Sequence, residues 1–314
     1  MVLLIITDLH EDLAYSSQKL DVVNGQGQSS INMLSHFDSA FVLSSIFPFF
    51  PSIHTMEKKN DSENEKIGHV NVPEWNLLLE QINFHILLER SGYIKIVRQK
   101  KDLQFHGVKL LLALEGTDAL RFPEDVFLLY SLGLRSLGIS WNYDNKFGSS
   151  YLSKKDYGLT GSGCVLVSYC KELGIALDLS HASKKTIEDV LSLPHGPLFI
   201  SHGNSDAVFH HPRNYPDSIL SSIFAEGGII GITGIRSTLG FDQDLEAIKH
   251  HITYIGETFG WEHVALGSDF LGVDEPVKGF ENVLKFKDLR SELKEQDDLV
   301  LWKNGLNFFN KVLK

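Results

Sequence analysis

Cysteine is scarce in this chain: its 314 residues hold only Cys164 and Cys170, both inside one expected helix. Two thiols so placed make no disulfide framework, and buried structural thiols are the expected reading. The shortage also disfavours a closed, thiolate-rich structural zinc site. Long hydrophobic runs are missing as well. The greasiest stretch, Phe41 to Pro51, is broken by Pro48 and Pro51, and nothing reaches the length of a transmembrane helix. The apolar opening Met1–Asp8 is too short for a signal peptide and has neither a basic leader nor a small-residue cleavage site. No block of Lys and Arg occurs, and the net charge is −11, which argues against nucleic-acid partners. There is no Gly-x-Ser-x-Gly elbow and no His-Glu-x-x-His, so serine-hydrolase and zincin readings have no support. Gly25-Gln26-Gly27 lacks the third glycine of a dinucleotide fingerprint. The expectation is a soluble, cytoplasmic protein that binds neither membrane nor nucleic acid.

What is present is apolar material in short, evenly distributed runs. The chain is 43% hydrophobic, enough for a well-buried core in one domain spanning 1–314. Short β-branched segments recur at Val2–Thr7, Ser39–Phe47, Val108–Leu114, Leu134–Ser140, Ile175–Leu179, Leu198–Ser201, Gly228–Thr233 and Val264–Gly267. Near-continuous apolar character fits parallel strands buried on both faces. Helical patterns lie between most of them. Ser162–Leu173 has an apolar face at 166, 169, 170 and 173 and Gly174 as its stop, and Pro73 opens a run through Arg90. Eight strands alternating with helices predict an (α/β)₈ TIM barrel of the metal-dependent hydrolase type, a large doubly wound sheet being the alternative. The polar segment around 55–68 reads as a loop insertion, and the chain from Phe280 as helix packed across the outside of the barrel.

Polar residues recur immediately after these apolar runs. Strand one runs into Asp8-Leu9-His10-Glu11-Asp12, strand three into Glu115-Gly116, strand five into Ser180-His181, strand six into His202-Gly203, and strand eight into Ser268-Asp269. A buried strand has no use for an unpaired charge. In a barrel of this type the strand ends converge on one face, where active sites are built. His10, Asp12, Glu115, His181 and His202 would then gather at one point as metal ligands. Imidazole with carboxylate suits zinc, manganese, iron or cobalt. His10 and Asp12, two apart in an extended segment, point the same way, and a carboxylate such as Glu115 can bridge two ions.

The motifs resemble those of the membrane (renal) dipeptidase family of the amidohydrolase superfamily, along nearly the whole chain. Asp8-Leu9-His10-Glu11-Asp12-Leu13 is similar to the family's Asp-Gly-His-Asn-Asp-Leu. Asp178-Leu179-Ser180-His181 and Ile200-Ser201-His202 resemble its two later histidine motifs. Pro212-Arg213-Asn214-Tyr215-Pro216-Asp217 is similar to its Arg-Asn-x-Pro-Asp, and Gly267-Ser268-Asp269-Phe270 to its Gly-Gly-Asp-Phe. The resemblance implies a dipeptidase with two divalent ions, zinc first and cobalt or manganese as alternatives. His10 and Asp12 would hold one ion, His181 and His202 the other, and Glu115 would bridge them. It further implies that Asp269 shuttles a proton, that Arg213 pairs with the free carboxylate of a dipeptide, and that the chain forms a homodimer.

One position departs from the family pattern. Where the family carries a substrate-contacting histidine after strand four, this chain has Trp141 in Ile139-Ser140-Trp141-Asn142-Tyr143. An indole donates one hydrogen bond and carries no proton. Trp141 and Asn142 are therefore expected at the substrate, with Asn142, Asn145, His210 and His211 as stand-ins for the missing donor. The departure keeps open an amidohydrolase acting on another amide, an ester or a lactone. A non-catalytic descendant that binds metal or peptide is the remaining alternative.

Overall fold

The computed structural model describes residues 4–49, 74–240 and 242–314. The expected insertion around 55–68 and the helix-opening Pro73 lie outside the described residues.

The strands are β1 (Ile5–Glu11), β2 (Ser39–Ile46), β3 (Lys95–Ile96), β4 (Gly107–Leu114), β5 (Leu134–Gly138), β6 (Ala176–Asp178), β7 (Leu198–Gly203), β8 (Ile230–Ile232) and β9 (Val264–Leu266). All pairings between them are parallel. The sheet runs β2-β1-β9-β8-β7-β6-β5-β4 and closes through β2–β4, whose register extends from Ser39 opposite Gly107 to Ile46 opposite Leu114. That is an eight-stranded barrel, formed by the eight segments read from sequence. The two-residue β3, too short to leave a periodic signal, pairs with the start of β4.

Helices surround it: α1 (Leu13–Ser16), α2 (Ile31–Leu34), α3 (Glu74–Arg90), α4 (Asp125–Leu132), α5 (Gly161–Leu173), α6 (Lys184–Ser192), α7 (Asp217–Ala225), α8 (Arg236–Leu239), α9 (Leu245–Phe259), α10 (Phe286–Leu293) and α11 (Asn304–Val312). Several start where the sequence marks a cap: the side chains of Thr160, Ser183 and Asp244 accept from backbone N–H groups in the first turns of α5, α6 and α9. Gly174, at φ 74°, ends α5 as expected. No helix among the described residues is long and apolar enough to cross a membrane.

Two details differ from the sequence reading, and a third, in α3, is one it did not address. The buried face of α5 is Gly163, Leu166, Val167 and Cys170, one step round from the expected stripe, which leaves Cys164 half-buried. In α3 the inward face includes Gln81 and His85, because each has a polar partner on β2 or the segment after it. Gln81 clamps both backbone groups of Phe47 (2.7 and 2.8 Å), and His85 bonds Ser44 Oγ (2.8 Å). Finally, α11 does not lie across the outside. Phe308 and Phe309 pack against the inward residues Phe41 and Phe199, in one cluster with Leu9, Leu43, Leu111 and Ala265. The helix thus plugs the barrel at the end where the strands begin.

Strand alternation separates two cores. Ala40, Val42, Leu110 and Leu112 face the helices, while Phe41, Leu43, Leu111 and Ala113 face the barrel axis. Continuing the inner row of β4 by two residues brings Glu115 to the open end, beside Ser45 of the neighbouring strand (3.2 Å).

Candidate metal centre

Alternation alone would send two of the expected ligands the wrong way. Ile6 on β1 and Ile200 on β7 face the helices, so His10 and His202 would follow them outward. Each strand instead carries a bulge. On β1, Asp8 pairs with Val42 and Glu11 with Ser44; on β7, Ile200 pairs with Ile230 and Gly203 with Ile232. In both cases three steps on one strand match two on its neighbour, and the extra residue re-aims the side chains around it. The strands run on through the ligands, with His10 and His202 inside β1 and β7. Asp12 has left the extended conformation (φ −92°, ψ 46°), so its approach to His10 comes from the turn into α1.

The five side chains meet. His10 Nε2 lies 3.4 Å from Glu115 Oε2, 3.6 Å from Asp12 Oδ2 and 3.8 Å from Asp269 Oδ1. On the other side, Glu115 Oε1 lies 3.1 Å from His181 Nε2 and 3.6 Å from His202 Nε2, and those two nitrogens are 2.8 Å apart. The two oxygens of one carboxylate therefore face two different sets of donors. His10 Nε2 and Asp12 Oδ1 are buried without a hydrogen-bond partner among the described residues. At Gly272 the backbone presses so close that a Cβ would strike Asp12 Oδ2 and Asp269 Oδ1. Three imidazoles and several buried carboxylates, with His10 Nε2 left bare among the described residues, fit divalent cations of the zinc, cobalt or manganese kind.

Surrounding groups fix the ligands. His181 Nδ1 donates to Asn142 Oδ1 (2.8 Å), and His202 Nδ1 bonds Ser201 Oγ (2.7 Å), leaving both Nε2 atoms directed at Glu115. Asp8 Oδ1 accepts from the backbone N–H of His10 and Ser268, and Asp178 Oδ1 from those of Ser180 and Ser201. Each aspartate ties its own strand end to the next one, beside a ligand. Neither was singled out from sequence; the Asp-x-His and Asp-x-Ser spacing of a side chain bonding two residues ahead was the available signal. His181 and Asp269 both hold left-handed backbone (φ 62° and 63°), a strained conformation that concentrates at functional sites.

Electrostatics follow from burial and from excess acid. Burial opposes charge on His10, but Glu115 and Asp12 outweigh it and hold the imidazole well above its ordinary range. Burial, reinforced by Arg213, takes His181 down to about 4; His202 is driven well below its usual value by burial, His10 and Arg213. Burial pushes Asp269 well above the carboxylate range, aided by Asp12 and Glu115.

The centre opens into a cleft of about 740 Å³ lined by Asp12, Asp269, Arg213, Tyr151, Trp141 and Asn142 among others. Arg213 is buried, pinned by Nη1 to Tyr215 Oη (3.0 Å) and by Nη2 to the His202 carbonyl (2.8 Å), with Nε unpartnered among the described residues. Trp141 packs at a tilt against Phe47 and Phe49 (ring centres 4.9 and 4.8 Å apart). Of the stand-ins for the missing donor, His211 lines the cleft, whereas His210 is exposed and turned to Asp206. Asn145 braces its own loop through Ile139 O and Thr117 Oγ1.

A family model described as membrane dipeptidase, peptidase family M19, matches residues 1–313. The chain is 32% identical to a dipeptidase, verJ, of Clonostachys rogersoniana over 225 residues, 68% of this chain and 58% of that protein. It is 33% identical to an uncharacterized dipeptidase of Schizosaccharomyces pombe over 175 residues, 53% of this chain and 42% of that one. The match spans about half the length of these curated relatives. Among solved structures, a metallopeptidase from Rhodobacter sphaeroides, liganded with a phosphinate mimic of L-Ala-D-Ala, superposes with a TM-score of 0.83 at 23% identity, covering 99% of this chain and 100% of that one. At that identity the likeness speaks to the fold.

Proposed function

The chain belongs to the membrane dipeptidase family, and on that premise we propose that it is a dimetal, zinc-type dipeptidase hydrolysing the amide bond of small dipeptides. The observation that carries the reading is the division of Glu115, one oxygen toward His10 and the other toward His181 and His202. His10, Asp12 and Glu115 would hold one ion, and His181, His202 and Glu115 the second. When bound, the ions supply Lewis-acid activation of the scissile carbonyl and of the attacking water.

The chain's own residues supply the rest. Asp269, 3.8 Å from His10 Nε2, takes a proton from the attacking water onto a carboxyl oxygen and passes it to the departing amine nitrogen. Arg213 offers its unpartnered Nε–H and remaining Nη hydrogens to the free carboxylate of the substrate. Two of its bonds are already spent on Tyr215 and the His202 carbonyl, so the guanidinium is oriented before substrate arrives. Asn142 orients His181 through Oδ1 and keeps its amide hydrogens for the substrate side. Trp141 walls the cleft.

Trp141 also favours a second reading, in which the substrate is a different amide, an ester or a lactone, since no charged donor stands where the family has histidine. The test is a metal-supplemented screen of L,L and L,D dipeptides beside N-acyl amino acids and lactones. Dipeptide turnover that chelation abolishes and zinc, cobalt or manganese restores supports the reading. Metal-dependent turnover of esters or lactones alone replaces it with the second.

A further inference from the structure

Beside the metal cleft lies a smaller cavity of about 280 Å³, sharing Phe47, Phe49, Glu115 and Trp141 with it. Its walls are aromatic. Phe47 and Phe49 stack with ring centres 5.4 Å apart and 15° between their planes; Trp141 leans on both, and Tyr143 stands 5.5 Å from Trp141 and 6.3 Å from Phe49. At its mouth are Glu74 and Asp118, both exposed. Among the described residues, no Lys or Arg lines it. Lys146 acts electrostatically on both Glu74 and Asp118, but its ammonium bonds the Arg121 carbonyl (3.3 Å) and it is not among the residues that line the cavity.

Ring faces carry negative charge density and attract a cation placed against them. The two carboxylates at the mouth of the box add to that preference by attracting a positive head group. Arg213 does not line this cavity, so a dipeptide anchored there by its carboxylate has its amino-terminal residue free to reach the aromatic side.

We propose that this cavity is the specificity pocket for the amino-terminal residue of the substrate and selects a long cationic side chain, that of lysine, ornithine or arginine. The alkyl stem lies against the cluster of Phe47, Phe49 and Trp141, and the charged head meets Tyr143, Glu74 and Asp118. The assignment rests on the dipeptidase reading for its substrate and on the cavity's own residues for its selectivity.

The experiment compares lysyl-alanine with norleucyl-alanine, its neutral counterpart of nearly equal length. Hydrolysis is measured with the metal-loaded enzyme, and binding by calorimetry with the metal-loaded Asp269→Asn variant, where turnover is slow. Lysyl-alanine should lead by about tenfold in kcat/KM and in affinity, the size expected of a partly desolvated cation–π site. The Glu74→Gln, Asp118→Asn double variant should lose most of that lead while hydrolysing alanyl-alanine as the parent does. Glu74→Gln alone, at an exposed position, should lose part of it and guards against a folding defect. Equal binding of the two dipeptides, or a lead unchanged in the double variant, overturns the pocket. Tighter binding of lysyl-alanine with no dipeptide cleaved keeps the pocket and overturns the dipeptidase reading.

Discussion

Nδ1 of His181 donates to the side-chain oxygen of Asn142 at 2.8 Å, which leaves Nε2 of that ring with a free lone pair facing Glu115. An amide oxygen can only accept, so the bond selects one tautomer of the histidine, the one a metal ligand needs. Asn142→Ala removes that selection. Metal affinity should fall by roughly 10–100-fold, the usual cost of losing such a partner, with activity recovered at high metal concentration. A chelator-competition titration measures it; unchanged affinity would remove Asn142 from the support of the site.

Asp269 stands in left-handed backbone, a conformation that asparagine tolerates as well as aspartate. Asp269→Asn therefore keeps the fold and the metal while removing the proton carrier. The expected loss in kcat is about 10²–10⁴-fold, the range of a positioned general acid–base. Metal content of the purified variant should match the parent, and a nearly full kcat would contradict the assigned role.

Arg213 is both pinned and incompletely satisfied, with Nε lacking a partner among the described residues. Arg213→Ala should raise KM for dipeptides with a free carboxylate by roughly 10–100-fold, the worth of a hydrogen bond to a charged group. C-terminal amides of the same dipeptides should be affected far less. Equal losses on both would show that Arg213 acts on the fold of the 205–215 loop and not on the substrate.

Away from the site, burial lowers His85 from 6.5 to about 4, and its ring is neutral between the Gln81 carbonyl and Ser44 Oγ. The folded chain resists a proton that the unfolded chain accepts. Its contribution is present in full above the unfolded value of 6.5 and is lost as pH falls to about 4. The loss amounts to about 3 kcal/mol. Urea unfolding at several pH values should show a shallower acid-side decline in His85→Gln than in the parent; parallel declines would contradict it.

Much of this centre was legible in the sequence, because its ligands are polar residues attached to apolar runs. His10, Glu115, His181 and His202 stood out for that reason, and barrel geometry gathered them. What the pattern hid was how His10 and His202 turn inward. Simple alternation puts them on the helix side, and only the extra residue in β1 and in β7 corrects it; a bulge leaves no compositional mark. The tethers from Asp8 and Asp178 were hidden for a related reason, since both reach backbone groups of a neighbouring strand distant in sequence. Phe308 and Phe309 looked like the apolar face of an outer helix. They enter the barrel instead, because the inner ring of Phe41, Phe199 and Leu111 leaves the closed end to be filled. Gln81 and His85 of α3 are buried because of partners on β2 and at Phe47 that no local pattern names.

In the proposed centre, Glu115 divides its two oxygens between two ion sites. Metal analysis of the protein after reconstitution with excess zinc and removal of loosely held ions tests it most directly. The account predicts two ions per chain, and one in a His181→Ala, His202→Ala double variant that keeps His10, Asp12 and Glu115. A parent protein that retains one ion or fewer under the same conditions would contradict it.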